Sequence, residues 1–157
     1  MERQPNSRMC FVCGLENPIG LKLAFYQDGN GKVVTRFTPR DEHQGYPGVL
    51  HGGITATLLD ETLGRVANSY NVWMTTAKLE IRYRKPVPLG EELTVIGEMV
   101  QMRGRTMIAR GIVRLADGTA AVEAEGLYVK VPDEVIEQMK PVAGIVTVAD
   151  DEDPTCR

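Results

Sequence analysis

Gln44-Gly-Tyr-Pro-Gly-Val-Leu-His-Gly-Gly-Ile-Thr-Ala-Thr-Leu-Leu-Asp-Glu61 is the stretch on which the reading of the chain turns. Pro47-Gly48 marks a turn, and after Leu50-His51 two glycines open the one long segment with helical texture, Ile54 to about Tyr70. Glycine lets another backbone or a ligand come close. The first N–H groups of a helix lack intrahelical partners and carry partial positive charge. His51, Gly52, Gly53 and Ile54 are therefore a candidate anion-stabilising site. At about 100° per residue, Ala56, Leu59, Leu63, Val66, Ala67 and Tyr70 share one arc and face a core. Asp60 lies at the edge of that arc, where a poorly solvated carboxylate can act as base or nucleophile. Glu61, Asn68, Gly64 and Thr57 point to the other side, and Ile54 and Leu58 form a second small apolar patch.

Outward from this segment, the chain reads as strands. Leu21 to Gln27 and Lys32 to Thr38 flank Asp28-Gly-Asn-Gly31, strong hairpin punctuation. Met74 to Arg84 alternates, with Thr75, Ala77, Leu79, Ile81 and Tyr83 on one face. Leu93 to Met102 and Thr106 to Ala116 join at Arg103-Gly-Arg105, and Asp117-Gly118 turns into Thr119 to Val131. Pro132 to Met139 reads as a short helix with proline in its first turn. Strands, one enclosed helix, then hairpins imply an α+β domain with a mostly antiparallel sheet packed on the helix. Its exposed edges invite pairing in a dimer.

Three regions follow: residues 1–20 as an arm, loose over its first nine residues and carrying Cys10-Phe-Val-Cys13-Gly14; residues 21–139 as the folded domain; and residues 140–157 as a flexible tail ending in an acidic cluster. A length of 157 residues suits one domain, and 43% hydrophobic with 25% charged residues is ordinary for a globular protein. A net charge of −3 gives no reason to expect nucleic acid. No apolar run approaches the ~20 residues of a membrane span, and residues 1–8 lack a signal peptide's apolar stretch. Three cysteines fit a reducing compartment, so a cytoplasmic location is expected. Structural zinc usually takes four ligands. Only Cys156, His43 and His51 remain as soft donors, none in paired spacing. Cys10 and Cys13 therefore read as a packed or idle thiol pair, no metal is expected unless a symmetric dimer completes a site, and His43 reads as an exposed loop residue.

Gly45-Tyr-Pro-Gly-Val-Leu-His-Gly-Gly-Ile54 with Leu58-Leu-Asp-Glu61, and later Ile81-Arg-Tyr-Arg-Lys-Pro-Val-Pro-Leu-Gly-Glu91, resemble the hotdog-fold acyl-CoA thioesterases of the PaaI-like, phenylacetic-acid-degradation type. The resemblance covers roughly residues 20–130 and implies a five- or six-stranded sheet around the central helix, in a homodimer or homotetramer. It implies acyl-CoA as substrate and no cofactor beyond the coenzyme A that the substrate carries. The thioester carbonyl would dock at the helix N-terminus, held by the Gly53 N–H and His51. Asp60 of the partner protomer's helix would be general base or nucleophile, assisted by Thr76 on the following strand. Gln44 stands beside Gly45, where some relatives carry an amide side chain, and Glu61 stands where other families of this fold use glutamate. No Gly-x-Ser-x-Gly elbow occurs. For coenzyme A phosphates the candidates are Arg103 and Arg105, which could clamp one, then Arg82, Arg84 and Lys85. Tyr46, Tyr70, Trp73 and Met74 are candidates for an acyl pocket. An acyl-thioester dehydratase or hydratase and a non-catalytic acyl-CoA-binding protein are the alternatives. His-Gly-Gly after Pro47-Gly-Val-Leu50 favours the thioesterase.

Overall fold

Turn chemistry sets the strand boundaries. Asp28 Oδ1 accepts from the N–H groups of Asn30 (2.8 Å) and Lys32 (3.1 Å), which closes the first hairpin. Asp117 Oδ1 does the same for the Thr119 N–H (2.8 Å) in the last. The computed structural model describes residues 1–146. In chain order these form β1 (Glu2–Arg3), β2 (Asn6–Ser7), β3 (Phe25–Gln27), β4 (Lys32–Phe37), α1 (Gly52–Gly64), β5 (Met74–Tyr83), β6 (Leu93–Arg103), β7 (Thr106–Arg114), β8 (Ala120–Lys130), α2 (Asp133–Met139) and β9 (Ile145–Val146). Seven strands make one antiparallel sheet in the order β1-β3-β4-β6-β7-β8-β5, with α1 against one face. This is the hotdog fold. β2 and β9 pair separately.

The helix is shorter than its sequence implies and turned differently. It ends at Gly64, and a single 3-10 turn, Ala67–Tyr70, follows, stopped by Asn71 in the left-handed region (φ 54°). The buried positions are Thr55, Leu58, Leu59, Thr62 and Leu63, so Leu58 belongs to the main core rather than to a second patch. Ala56 is half-buried and Tyr70 exposed. An apolar-only count overlooks the threonines. Each hydroxyl donates to the carbonyl one turn back, Thr62 to Leu58 at 2.6 Å and Thr55 to His51 at 3.4 Å, so neither is buried unsatisfied.

Two strand glycines decide how closely the helix sits. A Cβ at Gly97 on β6 would lie 3.1 Å from the Thr62 carbonyl oxygen, and one at Gly111 on β7 would lie 2.9 Å from Leu63 Cδ2. The two glycines are paired across the ladder, so they form one bare patch under the helix. Inward residues on either side, among them Val95, Ala109 and Val113, complete the core.

β5 departs from simple alternation. A bulge between Thr76 and Lys78 leaves Ala77 unpaired, while Thr76 opposes Tyr128 and Ile81 opposes Ala124. Tyr128 and Ala124 are buried inward residues of β8. Thr76 therefore shares the inner face with Leu79, Ile81 and Tyr83, and the expected partners Thr75 and Ala77 do not. One inserted residue shifts the phase of every side chain beyond it. β5 is also a sheet edge, and most of it is exposed.

Three loop readings are corrected. The first residues are not a loose arm: β1 pairs with β3, and the side chains of Gln4 and Asn6 are buried. Asn6 Nδ2 donates to the carbonyls of Cys13 (2.7 Å) and Leu23 (3.0 Å). His43 is 8% exposed, with its ring 5.1 Å from that of Phe37 and its Nδ1 accepting from the Arg40 N–H (2.9 Å). Burial, with the charge of Arg40, holds its pKa below the ordinary histidine value. The start of the expected flexible tail, residues 140–146, contains a 3-10 turn and β9, which pairs back on β2. The acidic cluster at 150–153 and Cys156 lie outside the described residues. Among the described residues no helix is long and apolar enough to cross a membrane.

Gly111→Val should destabilise the fold by about 1–3 kcal/mol, the usual cost of overpacking a core. A lower urea midpoint with an unchanged slope would register it, and an unchanged midpoint would mean that α1 does not bear on β7 as closely as described.

Candidate active site

One helix carries both halves of the candidate site. At its N-terminus His51 is the cap residue, and its Nδ1 accepts from the Gly53 N–H at 2.9 Å. A neutral imidazole that accepts at Nδ1 carries its proton on Nε2, which makes Nε2–H the available donor. The Gly53 N–H, expected to hold the thioester carbonyl, is here engaged by the histidine ring. The His51 carbonyl also accepts from Ile54 (3.0 Å) and Thr55 (3.1 Å), leaving Gly52 as the first-turn backbone donor not engaged by His51. Tyr83 Oη donates to the Gly52 carbonyl (2.7 Å) and ties the helix start to the end of β5.

Gln44 holds the preceding loop. Its Oε1 accepts from the Gly48 N–H (2.9 Å), and Gln44 bridges to Leu50. Around this end of the helix lies a cleft of about 710 Å³, lined among others by Gln44, Tyr46, His51, Gly52, Tyr83, Arg84 and Lys85.

Asp60 sits two and a half turns beyond His51, about 13.5 Å at 1.5 Å per residue. It is half-buried, and its Oδ1 accepts from Thr76 Oγ1 at 2.7 Å. Alternation alone put Thr76 on the other face of β5, and the bulge is what turns it toward the helix and Asp60. Asp60 and Thr76 open on a different cleft, of about 950 Å³, which Trp73 and Met74 also line. Tyr70 lines neither. Within one chain, then, the His51 end and the Asp60–Thr76 pair face separate clefts.

The basic candidates separate as well. Arg84 pairs with Glu123 (2.8 Å) and, with Lys85, borders the His51 cleft. Arg82 lies next to Glu123 in the ladder and borders neither of these clefts. Arg103 and Arg105 flank the β6–β7 turn, whose first β7 residue Thr106 aligns through Val129 with Thr75. They stand at the opposite end of β5 from Arg84, so the five cations form no single patch.

Glu61 is the largest surprise of the helix. Its side chain is 26% exposed rather than solvated, and Arg65 Nε binds its Oε1 at 2.8 Å. Burial raises its pKa, while Arg65 opposes the rise. Arg65 is itself buried, with its guanidinium 4.2 Å from the Phe25 ring centroid and donating to the Pro5 carbonyl (3.2 Å). Cys10 and Cys13 adjoin this pair: their two sulfurs and a Glu61 carboxylate oxygen lie within 4.8 Å of one another. Donation from the Cys10 thiol, aided by the Arg65 charge, lowers Cys13 to about 5, and the Cys10 thiol is correspondingly raised. Sequence spacing offered no sign of this meeting, since the glutamate comes from α1 and the cysteines from the loop after β2.

Residues 47–122 match the thioesterase superfamily. The chain belongs to that superfamily. It is 33% identical over 135 residues to acyl-coenzyme A thioesterase THEM4 of Rattus norvegicus, which covers 84% of this chain but 58% of the relative. The chain thus spans less than two thirds of that curated relative's length. Among solved structures it superposes on the thioesterase superfamily protein RHA08564 with a TM-score of 0.74 and 37% identity, covering 78% of this chain and 63% of the other. A hypothetical thioesterase protein from Streptococcus pneumoniae TIGR4, solved with coenzyme A, gives a TM-score of 0.65 at 25% identity over 68% of this chain and 84% of that one.

Arg65→Met should destabilise the protein by about 3 kcal/mol, because it leaves a partly buried carboxylate without its cation. Chemical denaturation would measure the loss, and wild-type stability would refute a structural role for the pair.

Proposed function

We propose that the protein hydrolyses acyl-CoA thioesters, in a homodimer where the His51 end of one chain faces Asp60 and Thr76 of the other. The Asp60–Thr76 hydrogen bond in its cleft, in a chain of the thioesterase superfamily, carries the reading. The division of the site between two clefts of one chain motivates the dimer. So does β5, an exposed edge strand with ladder groups free to pair with a second copy. A reducing aqueous compartment suits the free thiols of Cys10 and Cys13.

The chemistry follows from the donors and the carboxylate. Nε2–H of His51 and the Gly52 N–H polarise the thioester carbonyl at the positive end of α1. Asp60 either takes a proton from the attacking water or attacks the carbonyl carbon itself, and Thr76 Oγ1 holds the carboxylate in place. The tetrahedral oxyanion collapses, the C–S bond breaks, and coenzyme A leaves as thiolate; as base, Asp60 returns its proton to that sulfur, and as nucleophile it is left as an acyl anhydride that water hydrolyses to the free acid. Arg84 and Lys85, beside the His51 cleft, are better placed for its phosphates than Arg103 and Arg105.

Asp60→Asn should lower kcat at least about a hundredfold, the scale of losing a general base, with folding intact. Mixing His51→Ala with Asp60→Asn chains should restore activity that neither has alone, since one site of each mixed dimer regains both groups. Mixed dimers confirmed by native mass but still inactive would remove the shared site, and a fully active Asp60→Asn would remove the carboxylate mechanism. Arg84→Ala with Lys85→Ala should raise KM more than it lowers kcat. The same pair of changes at Arg103 and Arg105 should leave KM within about twofold, as ordinary surface substitutions do. The reverse ranking would return the phosphates to the β6–β7 turn.

A further inference from the structure

The Cys10–Cys13 loop is not needed by the chemistry above, yet it is built with care. The Cys10 sulfur accepts from two backbone N–H groups, Val12 (3.3 Å) and Cys13 (3.4 Å). The Cys13 sulfur accepts from the Ser7 N–H (3.5 Å) and lies 3.7 Å from Ser7 Oγ, which in turn accepts from the Cys10 N–H (3.2 Å). The Gly14 N–H closes the loop on the Cys10 carbonyl at 2.7 Å, so tightly that a Cβ at Gly14 would collide with that carbonyl. The buried Asn6 amide then pins the loop to β3's approach through the Cys13 and Leu23 carbonyls. A neutral thiol is a poor acceptor and gains little from several N–H donors. A sulfur carrying negative charge gains much more.

We propose that Cys10, Cys13 and Glu61 form a binding site for a divalent transition metal of the zinc class, with its fourth position open to the Asp60 cleft. The donor set is one that such ions take, thiolate and carboxylate with tetrahedral preference. Metal–sulfur bonds of ~2.3 Å and metal–oxygen bonds of ~2.0 Å place tetrahedral donors roughly 3.5–3.8 Å apart. The three donors already lie within 4.8 Å of one another, so small side-chain rotations close the site. Arg65 binds only Oε1 of Glu61 in the contacts of that pair, which leaves Oε2 for the ion. That makes Arg65 the outer partner that fixes the ligand's orientation. Charge also closes: two thiolates and a carboxylate beside one guanidinium leave two negative charges, which a dication neutralises. Three protein ligands and an opening toward a cleft are the pattern of a metal that can hold water or a ligand atom. Cys10, Cys13, Glu61 and Asp60 all border that same cleft. The expectation of an idle thiol pair without metal gives way to this reading because α1 supplies the donor that sequence spacing lacked.

The test uses the full chain, reduced and purified without oxygen, and reads metal rather than activity. Cobalt(II) should bind one per chain, with the intense sulfur-to-metal charge-transfer band and the visible bands of a tetrahedral site. Zinc should displace it and raise the melting temperature. Glu61→Gln should keep the charge-transfer band and weaken affinity at least about tenfold, the effect expected at a ligand if outer partners alone cost that much. Cys10→Ser with Cys13→Ser should abolish the band, with far-UV circular dichroism confirming that the variant folds. Asp60→Asn should bind cobalt as the native chain does. Cobalt content well below one per chain, binding without charge transfer, or equal affinity in Glu61→Gln would overturn the proposal.

Discussion

The close approach of α1 to the sheet is the constraint on which the rest depends. A helix packed on a strand pair at ordinary distance would leave a layer of side chains between them. Here Gly97 and Gly111 remove that layer, so the Thr62 carbonyl and the Leu63 side chain rest almost on strand backbone. The buried leucines of the helix then fill the space on both sides of the glycine patch. Close packing of this kind tolerates little displacement. It fixes the helix in rotation as well as in depth, and with it the direction of every functional side chain the helix carries.

That rotation distributes three tasks around one short helix. Its N-terminal cap is a histidine whose ring is oriented by the backbone it caps. Its inner edge offers Asp60 to a threonine that only a strand bulge could bring there. Its remaining edge offers Glu61 to Arg65 and to the two cysteines. Adjacent carboxylates on a helix diverge by about 100°. Asp60 and Glu61 therefore share a cleft and yet have different partners: a hydroxyl for one, a guanidinium and two sulfurs for the other.

Arg65 joins this helix to the N-terminal segment. A buried guanidinium needs several acceptors, and it finds Glu61, the Pro5 carbonyl and the Gln4 side chain, with the Phe25 ring beneath it. The first residues are thus part of the fold because they satisfy a buried cation. A composition of polar residues before the first hydrophobic run gives no hint of such a demand. The same explanation covers His43, which is held against Phe37 by a backbone donor that local sequence does not reveal.

The family resemblance named Thr76, while the sequence's own patterning determined the types of α1, α2 and β4 to β8, the hairpins at Asp28-Gly-Asn-Gly31 and Asp117-Gly118, the helix start at His51-Gly-Gly53, and the candidacy of Asp60. These are local matters of turn chemistry, periodicity and capping, which act over a few residues. Only the tertiary structure decided which face of α1 is buried, because threonines that satisfy their own hydroxyls count as core while a hydrophobicity pattern scores them as polar. It alone placed the bulge at Ala77, since the register of an edge strand is set by its neighbour. It alone took the Gly53 N–H for the His51 ring and sent the two groups of arginines to opposite ends of a strand. And it alone brought Glu61 to Cys10 and Cys13, for a cluster of donors from distant segments is a property of how the helix is rotated on the sheet, and sequence spacing does not contain that angle.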